Sequence, residues 1–175
     1  MITRKTSRAA LAAAMATTLL AAAPMADAVT YSNGTKTANF DVTLKIIADC
    51  TIATQPLDFG QSQGVLANTV TVNTTLSVTC TNTTPYNVGL NAGTGTGSTT
   101  AARVMSGTGA NTSTVAYNLF QAAGATNWGN TQGTDTRSGT GSGTAQTLTV
   151  YGAIPAQATP QPDTYKSTIT ATVYF

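Results

Sequence analysis

The sequence predicts an all-β protein, an antiparallel β-sandwich of immunoglobulin type. Residues that favour helices are scarce, because the chain contains no glutamate and is rich in threonine, glycine, asparagine and valine. Short segments in which apolar and polar residues alternate recur along the chain and are separated by turns rich in glycine or proline. About seven short strands at this spacing are typical of two antiparallel sheets packed face to face.

Residues 1–28 are predicted to be a secretory signal peptide. Arg4, Lys5 and Arg8 form a basic start, an alanine-rich apolar run follows over residues 9–23, and Ala26, Asp27 and Ala28 fit a cleavage site. The alternative is an uncleaved membrane anchor, but the run is shorter than the roughly 20 residues that span a bilayer. We therefore expect export to the periplasm and a mature chain that begins at Val29.

The charge balance and the missing residue types argue against several functions. Without residues 1–28, the basic and acidic side chains are equal in number, so no basic surface for nucleic acid is expected. The chain has no histidine, and its aspartates are scattered, which leaves a serine or threonine nucleophile without a base other than a lysine. We expect no catalytic site, no metal, no cofactor and no small-molecule substrate.

The two cysteines, Cys50 and Cys80, are predicted to form a disulfide because the chain is exported to an oxidising compartment. Closing a loop of about 30 residues would stabilise the fold by roughly 3 to 4 kcal/mol in the chain-entropy model. A metal site or a reactive thiol is the alternative, and the absence of histidine and of a second cysteine pair disfavours it.

Two alternating segments near the ends of the mature chain each have a fully apolar face. They cover residues 38–48 and 165–175, and each apolar side chain would gain about 1.5 to 3 kcal/mol on burial, so both faces are expected to join a sheet. From the pattern alone, the first segment is either an ordinary strand of its own domain or a strand that fills a neighbouring molecule. The apolar positions are Phe40, Val42, Leu44 and Ile46 in the first segment and Ile169, Ala171, Val173 and Phe175 in the second.

The remaining strands follow from the same alternation. A short strand is predicted at residues 57–60, and a long strand at 70–80 forms a hairpin with a strand at 86–90. Further strands are predicted near residues 103–105, at 115–119 and at 148–154, and the final strand over 165–175. Residues 121–144 are predicted to be a loop region with one short edge strand. Trp128 lies in this region and either packs over a loop or a subunit contact or is available to stack on a sugar.

Six of these segments together resemble the spore coat U family, the domain of pilins in archaic, Csu-type chaperone-usher pili. The resemblance covers essentially the whole mature chain and depends on the order of the segments and the placement of the cysteines. The segments are FDVTLKI at 40–46, LDFG at 57–60, VTCT at 78–81 with Pro85 and Tyr86, VAYNL at 115–119, VYGAIP at 150–155 and YKSTITATVYF at 165–175.

The resemblance implies an incomplete immunoglobulin-like sandwich whose open groove is completed by a donor strand from a neighbouring subunit. Residues 29–48 would be an N-terminal extension and residues 49–175 the pilin domain. The four apolar residues of 40–46 would form the donor strand. The four apolar residues of the closing segment would border the groove and contact a chaperone.

The function implied is that of a structural pilin of extracellular pili that serve surface attachment and biofilm formation. The partners would be identical neighbouring subunits, a periplasmic chaperone and an outer-membrane usher, with a tip adhesin as a further candidate. The alternative is a monomeric exported coat or carbohydrate-binding module, which the glycine-rich loops and Trp128 suggest. A chain that fills its own groove is also compatible with the sequence.

Overall fold

The computed structural model describes residues 34–61 and 66–175 of the chain. The predicted signal peptide and residues 29–33 of the predicted extension lie outside the described residues. Leu44–Phe175 form one compact unit, and the described residues of the preceding unit, 34–43, have no regular secondary structure. Within the described ranges, no helix is long and apolar enough to cross a membrane.

The described residues form nine β-strands and no helix. Every pairing between these strands is antiparallel. The predicted class, an all-β antiparallel sandwich of immunoglobulin type, is confirmed. The strands are β1 (Cys50–Thr54), β2 (Val70–Cys80), β3 (Pro85–Leu90), β4 (Arg103–Gly107), β5 (Thr114–Phe120), β6 (Arg137–Thr140), β7 (Gln146–Ile154), β8 (Tyr165–Lys166) and β9 (Ala171–Tyr174).

The larger sheet has six strands in the order β1-β2-β7-β5-β4-β8. Its longest pairing joins β2 to β7, where Leu76 lies opposite Leu148 and both side chains are buried. At the edge of the sheet, Cys50 of β1 lies opposite Cys80 of β2, and the two form the predicted disulfide. The disulfide therefore ties the edge strand β1 to its only neighbour in this sheet.

The smaller sheet has three strands in the order β6-β3-β9. Val88 of β3 pairs with Val173 of β9 on one side, and Tyr86 pairs with Gly139 of β6 on the other. A Cβ atom at position 139 would collide with the Tyr86 ring, so glycine is required for this close pairing. The prediction of one short edge strand within residues 121–144 is confirmed by β6.

The core lies between the two sheets and is built from alternate residues of their strands, as the period of two requires. Arg103, which is fully buried, is the exception among these apolar side chains. The buried apolar residues of the strands are Leu76, Val78, Cys80, Tyr86, Val88, Leu90, Val115, Tyr117, Leu119, Leu148, Val150 and Ile154.

Two strand predictions were wrong in detail. Residues 57–60 are not a strand, because they are not paired with a strand among the described residues. Residues 38–48 form no strand within this chain, and their pairing with a neighbouring molecule stays a prediction. The closing segment is not one strand but two, since β8 pairs with β4 of the larger sheet and β9 pairs with β3 of the smaller sheet. The chain crosses from one sheet to the other between them, which interrupts the ladder.

Candidate functional site

An open apolar groove runs between the two sheets, with a volume of about 440 Å³. One lip consists of the end of β1 and the irregular residues 55–59, and the other consists of residues 166–171. We call these the β1 lip and the C-terminal lip. Both lips and the floor belong to the compact unit Leu44–Phe175.

The floor of the groove is the apolar core of the sandwich, which is uncovered here. Inward-facing residues of both sheets meet at the floor, because alternate residues of each strand point into the sandwich. A sandwich of this kind lacks a strand between its two lips. The floor residues are Leu76, Leu90, Met105, Tyr117, Leu119 and Val150.

The β1 lip leans on the floor through Leu57 and Phe59, which are both half-buried. The ring of Phe59 meets the ring of Tyr117 edge to face, with ring centroids 6.5 Å apart and an angle of 68° between the ring planes. Gly152 of β7 lies beneath them, and a Cβ atom there would be 2.9 Å from both Leu57 Cδ1 and Phe59 Cζ. The absence of a side chain at Gly152 therefore lets this lip lie close to the floor.

The C-terminal lip is held by side chains where its strand ladder is interrupted. The Thr168 N–H donates to Oγ1 of Thr94 at 3.0 Å, and the Thr170 N–H donates to Oδ1 of Asn91 at 2.9 Å. These bonds satisfy backbone donors that would otherwise belong to a strand ladder. The lip is therefore ordered although it lies between two sheets.

Each lip adjoins an edge strand. The β1 lip contains Thr54, the last residue of β1, which is an edge of the larger sheet, and the C-terminal lip ends at Ala171, the first residue of β9, which is an edge of the smaller sheet. An edge strand presents a row of backbone N–H and C=O groups that a further strand is able to pair with. The groove thus combines an apolar floor with two lips that each adjoin an edge strand.

Tyr117 is the one floor residue with a polar end. It is 4% exposed, and its hydroxyl has no hydrogen-bond partner among the described residues. Burial raises the pKa of Tyr117, so its hydroxyl stays protonated at physiological pH. The floor consequently presents no negative charge to a strand that enters the groove.

The predicted donor residues are exposed to solvent. Phe40, Val42 and Leu44 are 86%, 86% and 85% exposed, and Ile46 is 74% exposed. Residues 34–49 form no strand, and every one of them is exposed. The structure thus places four alternating apolar side chains in water, and their role as a donor strand stays a prediction.

The structure places two of the four predicted groove-edge residues in the groove lining and two outside it. Ile169 and Ala171 line the groove, and both are half-buried. Val173 is half-buried in the pairing of β9 with β3, and Phe175 is 58% exposed. The structure brings two of the four to the groove lining, and contact with a chaperone stays a prediction for all four.

The sequence did not reveal which core residues form the floor. Leu76, Leu90 and Val150 have the same alternation as residues that are fully covered, so only the strand order shows where the sandwich is open. Trp128 is fully buried, and its Nε1–H donates to the Val88 carbonyl oxygen at 2.7 Å. The indole therefore packs inside the sandwich and presents no face to a sugar.

Comparison with protein families gives one match that covers most of the chain. Residues 36–172 match the Spore Coat Protein U domain. No curated protein matches the chain significantly.

Two similar solved structures come from bacterial pili. The first is a pre-assembly complex of the chaperone CsuC with the tip adhesion subunit CsuE, from archaic chaperone-usher Csu pili of Acinetobacter baumannii, with 25% identity and a TM-score of 0.55. That match covers 74% of this chain and 40% of the other, so the chain spans about two fifths of its length. The second is HdaB, the minor tip subunit of the E. coli Hda pilus, with 14% identity, a TM-score of 0.36, and coverage of 71% of this chain and 78% of that one.

Proposed function

The chain belongs to the Spore Coat Protein U domain family, and we propose that it is a structural subunit of an archaic chaperone-usher pilus. The observation that carries this proposal is that one chain has both an open groove and an exposed apolar segment. We call this segment, residues 40–49 between the first predicted donor residue and β1, the arm. The groove lies between the edges of two sheets, and residues 40–46 have four alternating apolar side chains in solvent. The similarity to a subunit of Csu pili supports the same function.

In this proposal, residues 40–46 of one copy enter the groove of the next copy as a donor strand. Seven residues in extended conformation span about 20 Å. Burial of Phe40, Val42, Leu44 and Ile46 would contribute about 6 to 12 kcal/mol, at about 1.5 to 3 kcal/mol for each side chain. Backbone hydrogen bonds to the two lips would add to this.

The groove also requires a partner before assembly. An apolar floor that is open to solvent promotes aggregation, so a periplasmic chaperone would cover it until an outer-membrane usher exchanges the chaperone for the next subunit. Ile169 and Ala171 are the lip residues that such a chaperone would contact, with Val173 and Phe175 farther along the same segment. Residues 29–48 then form the extension with the donor strand, and residues 49–175 form the pilin domain.

In this proposal the chain is a repeated shaft subunit, because its donor residues and its groove would form the same junction between every two neighbouring copies. A separate tip adhesin would complete such a fibre. The pili would be extracellular and would serve surface attachment and biofilm formation. In this role the chain is a structural protein without a catalytic reaction.

The experiment that tests this proposal compares two aspartate substitutions in the arm. Leu44→Asp places a carboxylate on the face that enters the groove, whereas Thr43→Asp places the same group on the opposite face, one residue away. We expect Leu44→Asp to abolish denaturant-resistant ladders of multimers on gels, because burial of an unpaired carboxylate is strongly unfavourable. Thr43→Asp should preserve the ladders.

Both variants should still be recovered with the chaperone, since the groove itself is unchanged. Ladders that persist with Leu44→Asp would contradict the proposal. A second result would also contradict it: residues 29–175, expressed in the periplasm without a chaperone, form a stable, soluble monomer. That result is expected of a monomeric coat or carbohydrate-binding module.

A further inference from the structure

The base of the arm is bound to the body of the sandwich through Thr81. The Asp49 N–H donates to Oγ1 of Thr81 at 3.0 Å, and the Thr81 N–H donates to the Asp49 carbonyl oxygen at 2.9 Å. The Thr81 hydroxyl lies 3.4 Å from the Ile47 carbonyl oxygen and 3.2 Å from that of Asp49, so its single proton is within donating distance of both. One residue thus contacts both ends of the three-residue stretch 47–49.

Thr81 is itself held in place from both sides. It follows Cys80, whose disulfide joins β2 to β1. It begins a tight turn in which the Thr84 N–H donates to the Thr81 carbonyl oxygen at 3.1 Å. The Thr83 N–H holds this turn in place by donating to the Gly141 carbonyl oxygen at 2.8 Å. Gly141 lies so close to the turn that a Cβ atom there would collide with the Thr81 carbonyl oxygen.

These contacts extend the pairing of β1 with β2 by one residue, so the chain continues the line of β1 past Cys50. Between Ile46, the last donor residue, and Cys50 there are only four Cα-to-Cα steps, which span at most about 14 Å. If residues 40–46 fill the groove of a neighbouring copy, that copy must lie against this end of the sandwich. The direction of residues 47–49 then becomes the direction from one subunit to the next.

We propose that Thr81 is a positioning residue that fixes the direction in which the arm leaves the body, and thereby the angle between successive copies in the fibre. This inference depends on the proposed function. It adds to that function a defined junction between subunits, built from a hydroxyl group, a disulfide and a pinned turn.

The test uses assembled fibres of three variants. Thr81→Val removes the hydroxyl and keeps the branched shape, and Thr81→Ser restores the hydroxyl. Thr79→Val makes the same change two residues earlier on β2, where the side chain is opposite Thr51 and does not contact the arm. Hydrogen exchange measured by mass spectrometry reports the protection of the Asp49 amide, and electron microscopy reports the spread of angles between neighbouring subunits.

We expect Thr81→Val to assemble with normal ladders, to exchange the Asp49 amide about fivefold faster, as loss of one hydrogen bond implies, and to widen the spread of angles. Thr81→Ser and Thr79→Val should match the wild type. Normal ladders with an unchanged spread of angles in Thr81→Val would overturn this inference and leave the proposed function intact. If Thr81→Val does not assemble, an unprotected Asp49 amide in wild-type fibres would overturn the inference, and a protected amide in wild-type and Thr81→Ser fibres would support it.

Discussion

At the scale of single residues, Arg103 shows how the protein satisfies a buried charge without an ion pair. Its guanidinium donates to four backbone carbonyl oxygens: those of Asn91 and Thr100, each at 2.9 Å, of Leu90 at 2.8 Å and of Trp128 at 2.6 Å. Burial lowers the pKa of Arg103, although an arginine remains charged at any physiological pH. The side chain therefore ties the end of β3 and the loop that carries Trp128 to β4.

Arg103→Met is expected to lower the free energy of unfolding by about 3 to 5 kcal/mol, because it leaves buried carbonyl oxygens without a donor. The matched control is Arg137→Met, since the Arg137 Nη1–H makes one bond, to the Gln121 carbonyl oxygen at 2.8 Å. Loss of that bond should lower the free energy of unfolding by about 1 kcal/mol. The measurement is urea unfolding of a chain in which a second copy of residues 38–48, fused after Phe175, fills the groove. Equal losses for the two variants would contradict the role of Arg103.

At the scale of secondary structure, the sequence predicted most of the paired strands, but it missed the edge strand β1 and predicted the unpaired segments poorly. The alternation around Leu76, Val88 and Val150 reports a residue's face on a strand, and each of these strands is present. The same alternation around Leu57 and Leu44 predicted strands that the structure lacks. A strand needs a partner for its backbone, and the partner of these segments is not among the described residues of the same chain.

The location of the groove was not predictable from the alternation for a related reason. Ile169 and Tyr165 occupy equivalent positions of the alternation in the sequence, but Tyr165 pairs with Gly107 of β4, whereas Ile169 lies between β8 and β9 and lines the groove. Arg103 gave no signal either, because a lone arginine between apolar residues is ordinarily a surface residue. The order of strands across the two sheets, which fixes where the sandwich is open, is a property of long-range pairing.

The arm is expected to change its susceptibility to trypsin when the fibre assembles. Lys45 lies among the donor residues, whereas Lys36 precedes them. In the complex of subunit and chaperone, trypsin should cleave the peptide bonds after both Lys36 and Lys45. In the fibre, cleavage after Lys45 should stop, because its backbone is then paired with both lips, and cleavage after Lys36 should continue. Mass spectrometry of the fragments distinguishes the two sites, and equal cleavage at both sites in fibres would contradict donation of residues 40–46.

At the scale of the whole molecule, the chain combines a well-packed sandwich with two surfaces that are unfavourable in water. The disulfide, the buried Trp128 and the Arg103 network stabilise the body, while the open groove and the exposed arm leave apolar side chains in solvent. In the proposed polymer, each junction would remove both surfaces from water at once, whereas a monomer would leave both exposed.

The most direct test of this account asks whether the arm enters the groove of another molecule. Fibres are assembled from equal parts of isotopically labelled and unlabelled subunits that carry a photo-reactive phenylalanine derivative at position 40, and the cross-linked peptides are identified by mass spectrometry. The account predicts cross-links between the arm and the groove that join labelled to unlabelled chains. Cross-links confined to labelled-with-labelled and unlabelled-with-unlabelled pairs would show that each chain fills its own groove, and would contradict the account.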